Sequence, residues 1–403
     1  MENKGNKYLV LLGAIILQIC LGSIYTWSMF NGPLAATHGW ETSGIVLTFS
    51  IAILFFALST LVSGKLLKKI GPRKVATIGG LLYGSGVLLT GIVLLNFPSL
   101  PLIYITYGVI GGTGVGFAYV CPLATLVKWF PEIKGTITGI GVGAFGVGSI
   151  LFKPIIKIFL ENEAIGPDKT FLYLGVIYLV FCTIGAQLFS EPKVKAGAAG
   201  STDHEFTAKE MTKTSAFPMM WVMFFVGCIP GLLAIGLAVG IGEEFVGLTA
   251  AMAANAVVLI AIFNTLGRLG AGAAADKFGL RKVVTGLFTI TIAAVGILLM
   301  SKGGGSAVMF FAALGGIAVG FGGLLAVVPP LVGDFYGVNN LGTNYGLIFI
   351  AYGLAALVGP FLKKALVYDQ MFYVSVGVAI VGLVLSIVMK KPKKAALSTK
   401  KTA

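Results

Sequence analysis

The sequence predicts an all-α membrane protein of twelve transmembrane helices, arranged as two pseudo-symmetric six-helix bundles. Three observations lead there. The 403-residue chain is 57% hydrophobic and only 11% charged, whereas a soluble domain carries roughly 25% charged residues. Apolar runs of about 20 residues, the length that crosses a bilayer, recur from end to end. One basic, glycine-marked loop occurs twice, as GKLLKKIGPRK at 64–74 and GAAADKFGLRK at 272–282, an offset of 208 residues. Tandem hydrophobic halves with a shared loop are a mark of repeat-built membrane proteins.

The apolar segments run 8–30, 42–66, 75–96, 101–128, 135–158, 171–190, 216–242, 249–274, 282–301, 306–332, 342–366 and 371–389. Lys4 and Lys7 precede the first, and no small-residue cleavage site follows it, so it reads as a retained span and not a signal peptide. The polar stretch 191–215, with Lys193, Lys195, Asp203, His204, Glu205, Lys209, Glu210 and Lys213, separates an N-terminal bundle (1–190) from a C-terminal bundle (216–389). A basic tail (390–403) follows and is expected to lie along an anionic cytoplasmic leaflet. With both termini cytoplasmic, 22 of the 29 Lys and Arg fall on the inner side. Six (Lys153, Lys157, Lys169, Lys302, Lys363 and Lys364) fall on the outer side or outer helix ends. That bias predicts a multi-pass protein of the plasma (inner) membrane with both termini inside. It also explains the net charge of +14 without nucleic acid as a partner.

The duplication extends into the helices. At the 208 offset, Gly108, Gly112, Gly114 and Pro122 fall on Gly316, Gly320, Gly322 and Pro330. One residue less places Gly135, Gly139 and Gly146 on Gly342, Gly346 and Gly353. Glycine at such positions lets helix backbones approach closely.

Other chemistries find no support. Cys20, Cys121, Cys182 and Cys228 sit singly in apolar segments, and the two histidines, His38 and His204, lie in loops, so neither a metal site nor a cofactor is expected. The run GIGVGAFGVG at 139–148 has no βαβ context and reads as helix packing. No nucleophile–base pair is evident, so the chain is not expected to be an enzyme, and no loop is large enough for a sensor module.

Arg268 is the informative side chain. It lies eight residues before Asp276, roughly 12 Å into the bilayer at 1.5 Å per residue. Arginine there costs about 2.5–3.5 kcal/mol on insertion scales. One account is a side chain snorkelling to the cytoplasmic side. The other is an anion site, because guanidinium matches a carboxylate in two-bond geometry. The repeat places Thr60 at the equivalent position, so the charge belongs to one half only. Asn264, one turn away on the same face, can orient the arginine, bond a substrate, or pack between helices. No Asp or Glu lies deep in a span: Glu243 and Glu244 close the outer end of the seventh, Asp334 the inner end of the tenth, and Asp369 is in a loop. A lone buried cation predicts a small anionic partner. Tyr25, Tyr119, Phe145 and Tyr352, the last two equivalent in the repeat, are candidate aromatic walls. Trp27, Trp40, Trp129 and Trp221 are read as interfacial anchors.

The loop pattern resembles the signature of the major facilitator superfamily, GxxxD(K/R)xGx(R/K). Gly272, Asp276, Lys277, Gly279 and Arg281 match it in full. The first copy keeps Gly64, Lys69, Gly71 and Arg73 but has Lys68 in place of the acid. The resemblance implies alternating access and a conformational latch at these loops (Gly64, Gly71, Arg73, Gly272, Asp276, Lys277, Gly279 and Arg281), with the acid expected to bind a neighbouring helix end only in the second. The strings GSIYTWSMF, KWFPEIKGTITG, FNTLGRLGAG and GTNYGLIFIAYG resemble the oxalate–formate antiporter and monocarboxylate transporter branch. In that branch the eighth-helix arginine falls on Arg268. Dicarboxylate exchangers add an eleventh-helix lysine, where this chain has Tyr352. Animal-type monocarboxylate carriers have an aspartate where it has Asn264. The resemblance therefore implies a monomeric secondary carrier of lactate- or pyruvate-like monocarboxylates, coupled to protons by symport, with oxalate/formate-type antiport as the alternative.

Overall fold

A computed structural model describes residues 6–192, 205–304 and 306–393. Positions 193–204 of the predicted linker and 394–403 of the predicted tail lie outside the described residues. Eleven helices among the described residues are long and apolar enough to cross a bilayer. One of them, Ser43–Asn96, has 54 residues, about 80 Å of helix against a hydrocarbon core of roughly 30 Å. It turns back at Gly71, whose φ of 78° is followed by Pro72. A left-handed glycine ends one helix and a proline begins the next, so this element is two spans.

The twelve spans are α1 (Lys7–His38), α2 (43–70), α3 (72–96), α4 (Leu100–Trp129), α5 (Pro131–Glu161), α6 (Gly166–Gln187), α7 (Ala216–Val246), α8 (Ala250–Phe278), α9 (Leu280–Met300), α10 (Ala307–Tyr336), α11 (Leu341–Ala365) and α12 (Tyr368–Val388). The predicted fold class holds: all-α, in two six-helix bundles. The repeat-equivalent helices α4 and α10 are the most enclosed, whereas α9 and α12 are among the least. Large apolar side chains such as Leu58, Val62, Val176, Ile184, Ile380 and Val384 point outward, which suits lipid. The four cysteines are buried free thiols.

One local departure from α-helix bears on function. Residues Ser23–Phe30 of α1 tighten into a 3₁₀ stretch that carries Tyr25, a geometry frequent at hinges. The same stretch corrects one expectation. Trp27 is not an interfacial anchor: it is 2% exposed, donates its indole N–H to the Ile45 carbonyl at 3.1 Å, and packs on Tyr107 with ring centroids 4.3 Å apart. Its hydrophobic body is spent on joining α1, α2 and α4.

Candidate functional site

Arg268 on α8 is 1% exposed. Its Nη1 donates to the Val142 carbonyl of α5 at 2.8 Å, and its guanidinium carbon lies 5.8 Å from the centre of the Phe145 ring. The side chain is thus held at depth between the bundles, not extended to the surface. Its Nε and Nη2 have no hydrogen-bond partner. These two nitrogens share one edge of the guanidinium, the edge that grips both oxygens of a carboxylate. Leaving buried donors unsatisfied costs about 1–3 kcal/mol each, and more when the group is charged. The arrangement sacrifices stability to keep that edge available.

Four of the sequence-predicted aromatics gather around it. Phe145 meets Tyr25 and Tyr119 edge-on, with centroids 5.3 and 5.5 Å apart. The Tyr25 and Tyr352 hydroxyls share a 2.5 Å hydrogen bond between α1 and α11, across the two bundles. Asn264 stands apart from this group: its Nδ2 donates to the Ala318 carbonyl of α10 at 3.4 Å, so its amide joins helices and does not orient the arginine.

Sequence reasoning missed Phe56, Tyr345, Phe349 and the Val142 carbonyl. Phe56 packs on Tyr119 and Phe349 at 5.0 and 5.1 Å, and Phe349 stacks on Tyr352 at 4.9 Å. The Tyr345 hydroxyl is buried with no hydrogen-bond partner. The repeat held the signal. At the 208 offset Phe56 is the counterpart of Asn264, and at 207 Phe349 is the counterpart of Val142. The α2–α11 contact, which lacks the cation of the α5–α8 contact, carries rings at the equivalent positions.

A cavity of about 440 Å³ leads toward this centre from the membrane face opposite the 64–74 and 272–282 loops. That face is called distal here, and the loop-bearing face terminal. The cavity lies between α1, α2, α5, α7 and α8, with Tyr368 of α12 at its edge, and reaches Tyr25 and Asn264, one turn short of Arg268. Lys153 and Glu244 line it nearer the distal helix ends.

The terminal face is closed by two equivalent joints. A Cβ on Gly64 of α2 would stand 2.2 Å from the Gly342 carbonyl group of α11, and one on Gly272 of α8 would stand 2.5 Å from the Gly135 oxygen of α5. Only glycine permits approaches this close. Beside the second joint, Asp276 accepts from the backbone N–H of Gly135 at 2.8 Å and of Thr136 at 2.6 Å, capping the start of α5. Beside the first, Lys68 donates to Asn340 at the start of α11, so the polarity is reversed. The other loop residues act within a bundle. Arg73 donates to the Phe189 carbonyl at 3.0 Å and Arg281 to the Ile387 carbonyl at 2.7 Å, each at the end of its own half's last helix. Gly71 and Gly279 supply left-handed turns with φ of 78° and 90°. Lys277 sits 5.4 Å from the Phe278 ring.

Comparison with known proteins decides the family. Residues 11–245 and 219–403 each match the Major Facilitator Superfamily, so both halves carry its pattern. The chain belongs to the major facilitator superfamily. Across 353 residues it is 37% identical to the uncharacterized MFS-type transporter YhjX of Escherichia coli K12, covering 87% of this chain and 86% of that one. It is 28% identical over 366 residues to the oxalate:formate antiporter of Oxalobacter formigenes, covering 90% and 85%. Among solved structures, the E. coli fucose:proton symporter superposes with a TM-score of 0.73 at 13% identity, covering 96% of this chain and 100% of the other. The protein is therefore a membrane transporter of this superfamily.

Proposed function

We propose that this transporter carries small organic monocarboxylates of lactate or pyruvate size by alternating access, coupled to protons. One observation carries the reading: Arg268 is buried at the contact of the two bundles with its Nε and Nη2 unpaired. One such edge matches one carboxylate. The surrounding rings, Phe145 foremost, accept a short apolar tail, and the Tyr25 and Tyr352 hydroxyls are near enough to bond the anion once their mutual bond opens. Neutralising Arg268 lowers the cost of moving it between environments as the halves rock, residues 1–190 against 216–389 with 191–215 as the connection. The distal cavity and closed terminal face correspond to one half of such a cycle. The charge bias supports a cytoplasmic terminal face. With no carboxylate in contact with Arg268 among the described residues, the proton would travel at the substrate or close to Arg268.

A second reading, an oxalate/formate-type exchanger, is favoured by one further feature: Lys153 shares the cavity and offers a second cation.

Proteoliposome uptake of radiolabelled L-lactate tests both, with and without an inward proton gradient, for wild type and Arg268→Ala. Gradient-driven uptake lost in the variant is the expected result. Uptake only into vesicles preloaded with oxalate or formate would select exchange. Uptake indifferent to Arg268→Ala would remove the site.

A further inference from the structure

We infer that Lys153 forms a second, outer anion-binding position, which holds the substrate at the mouth of the distal cavity before it reaches Arg268. The inference rests on the reading of the chain as an anion carrier and adds a site to it. Lys153 is half-buried on α5 and lines the cavity, and it makes no hydrogen bond or ion pair with any described residue. An ammonium whose stem is packed in a wall and whose head faces a confined space is short of hydration and recruits an anion. Glu244 of α7 reaches the same cavity from the C-terminal bundle and is itself engaged in an interaction.

The cavity lining mixes polar and apolar groups. On the side of the N-terminal bundle, Ser28 and Asn31 of α1 and Ser149 of α5 accompany Lys153, and the Asn31 Oδ1 is buried without a hydrogen-bond partner. Apolar surface comes from both bundles, as Trp27, Val46 and Phe49 on one side and Ile235, Val257 and Ile260 on the other. A cation with polar neighbours beside apolar surface fits a carboxylate with a short hydrocarbon end. Lys153 lies eight residues beyond Phe145 on α5, about 12 Å along the helix, and Phe145 is the ring against the Arg268 guanidinium. The two cations therefore stand in series along the path, with the Tyr25–Tyr352 bond between the cavity floor and Arg268.

The test reads the cavity's charge without needing the substrate's identity. Ser28 is exposed in the cavity, and the four native cysteines are buried. Ser28→Cys would be reacted with the anionic sulfonatoethyl and the cationic trimethylammonium-ethyl methanethiosulfonates. Lys153→Gln should lower the anionic-to-cationic rate ratio by about three- to tenfold at low salt, less at high salt, and Lys153→Arg should restore it. In oriented vesicles, Lys153→Gln should raise the KM for L-lactate presented to the distal face more than it changes kcat, and leave the KM from the terminal face unmoved. An unchanged reagent ratio overturns the inference. Loss of transport from both faces in a folded Lys153→Gln protein also overturns it, because Lys153 would then belong to the central site. Transport that survives Arg268→Ala removes Arg268 as the central site, while the reagent ratio remains an independent measure of Lys153; absence of any L-lactate uptake by the wild type is what defeats the carrier reading.

Discussion

Asp276 fastens α8 to α5 at the closed terminal face, so its removal should tilt the conformational balance by a calculable amount. Its carboxylate accepts two backbone N–H groups, of Gly135 and Thr136, at the first turn of α5. Losing a capping acceptor costs about 0.5–2 kcal/mol, and losing an anion from a helix N-terminus about 0.3–1 kcal/mol. Both interactions cross between bundles, so both should be lost when the terminal face opens. Asp276→Ala should therefore favour the terminal-open state by about 1–3 kcal/mol, a shift of roughly 5- to 150-fold. Asp276→Asn keeps one accepting oxygen and should fall between. The assay is the rate at which a neutral maleimide labels Ser28→Cys in the distal cavity. Labelling should slow in the order wild type, Asn, Ala, with a parallel change in transport rate. Equal labelling in all three proteins would show that the carboxylate does not hold the closed face. A larger effect for Asn than for Ala would refute the capping account.

Two further outcomes follow from the same geometry. Arg268→Met should abolish transport yet raise resistance to thermal unfolding in detergent, because it removes two unpaired buried donors worth about 1–3 kcal/mol each; a lower melting temperature would mean the arginine is structural. Gly64→Leu places atoms where the Gly342 backbone now lies, with the first of them 2.2 Å from it. The protein should fold but fail to close its terminal face, so that Ser28→Cys is protected and transport is lost. Gly286→Leu, where an added Cβ meets nothing within 4 Å, is the control.

The parts of this molecule legible in its sequence are those where one residue type has a large cost or a unique shape. Twelve spans could be counted because the bilayer sets their length. The break between α2 and α3 was marked by Gly71–Pro72, a pair that cannot continue a helix. Arg268 was visible because a charge at that depth is too costly to be incidental. Aromatics gave weaker signals. Tyr25, Tyr119, Phe145 and Tyr352 do converge, but Phe56 and Phe349 look like any other ring in an apolar run, and Trp27 was misassigned because amphipathic indole is as much at home in a core as at an interface. Asn264 illustrates a different limit. Spacing put it on the Arg268 face, but only coordinates show that its amide reaches a carbonyl of α10 instead.

What the two halves share and where they differ divide the molecule's tasks. The glycine joints, Gly64 on Gly342 and Gly272 on Gly135, obey the repeat, as do Arg73 and Arg281 at the ends of α6 and α12. The glycine joints tie the bundles together on both sides, and the two arginines brace each bundle from within. Three positions of one helix break the repeat. Along α8, Asn264, Arg268 and Asp276 stand where α2 has Phe56, Thr60 and Lys68. The break reverses the polarity of the latch and moves the buried cation off the pseudo-twofold axis. An anion bound at Arg268 must then contact the bundles unequally, its charge on α8 of the C-terminal bundle and its apolar end against Phe56, Tyr119 and Phe145 of the N-terminal bundle. Such a ligand bridges the bundles by its two chemically different ends. A ligand with a charge alone, and no apolar end, would engage only one bundle and do less to draw them together. Chain length in a series from formate through acetate to butyrate should therefore affect affinity through the N-terminal rings even though Arg268 sees the same carboxylate throughout.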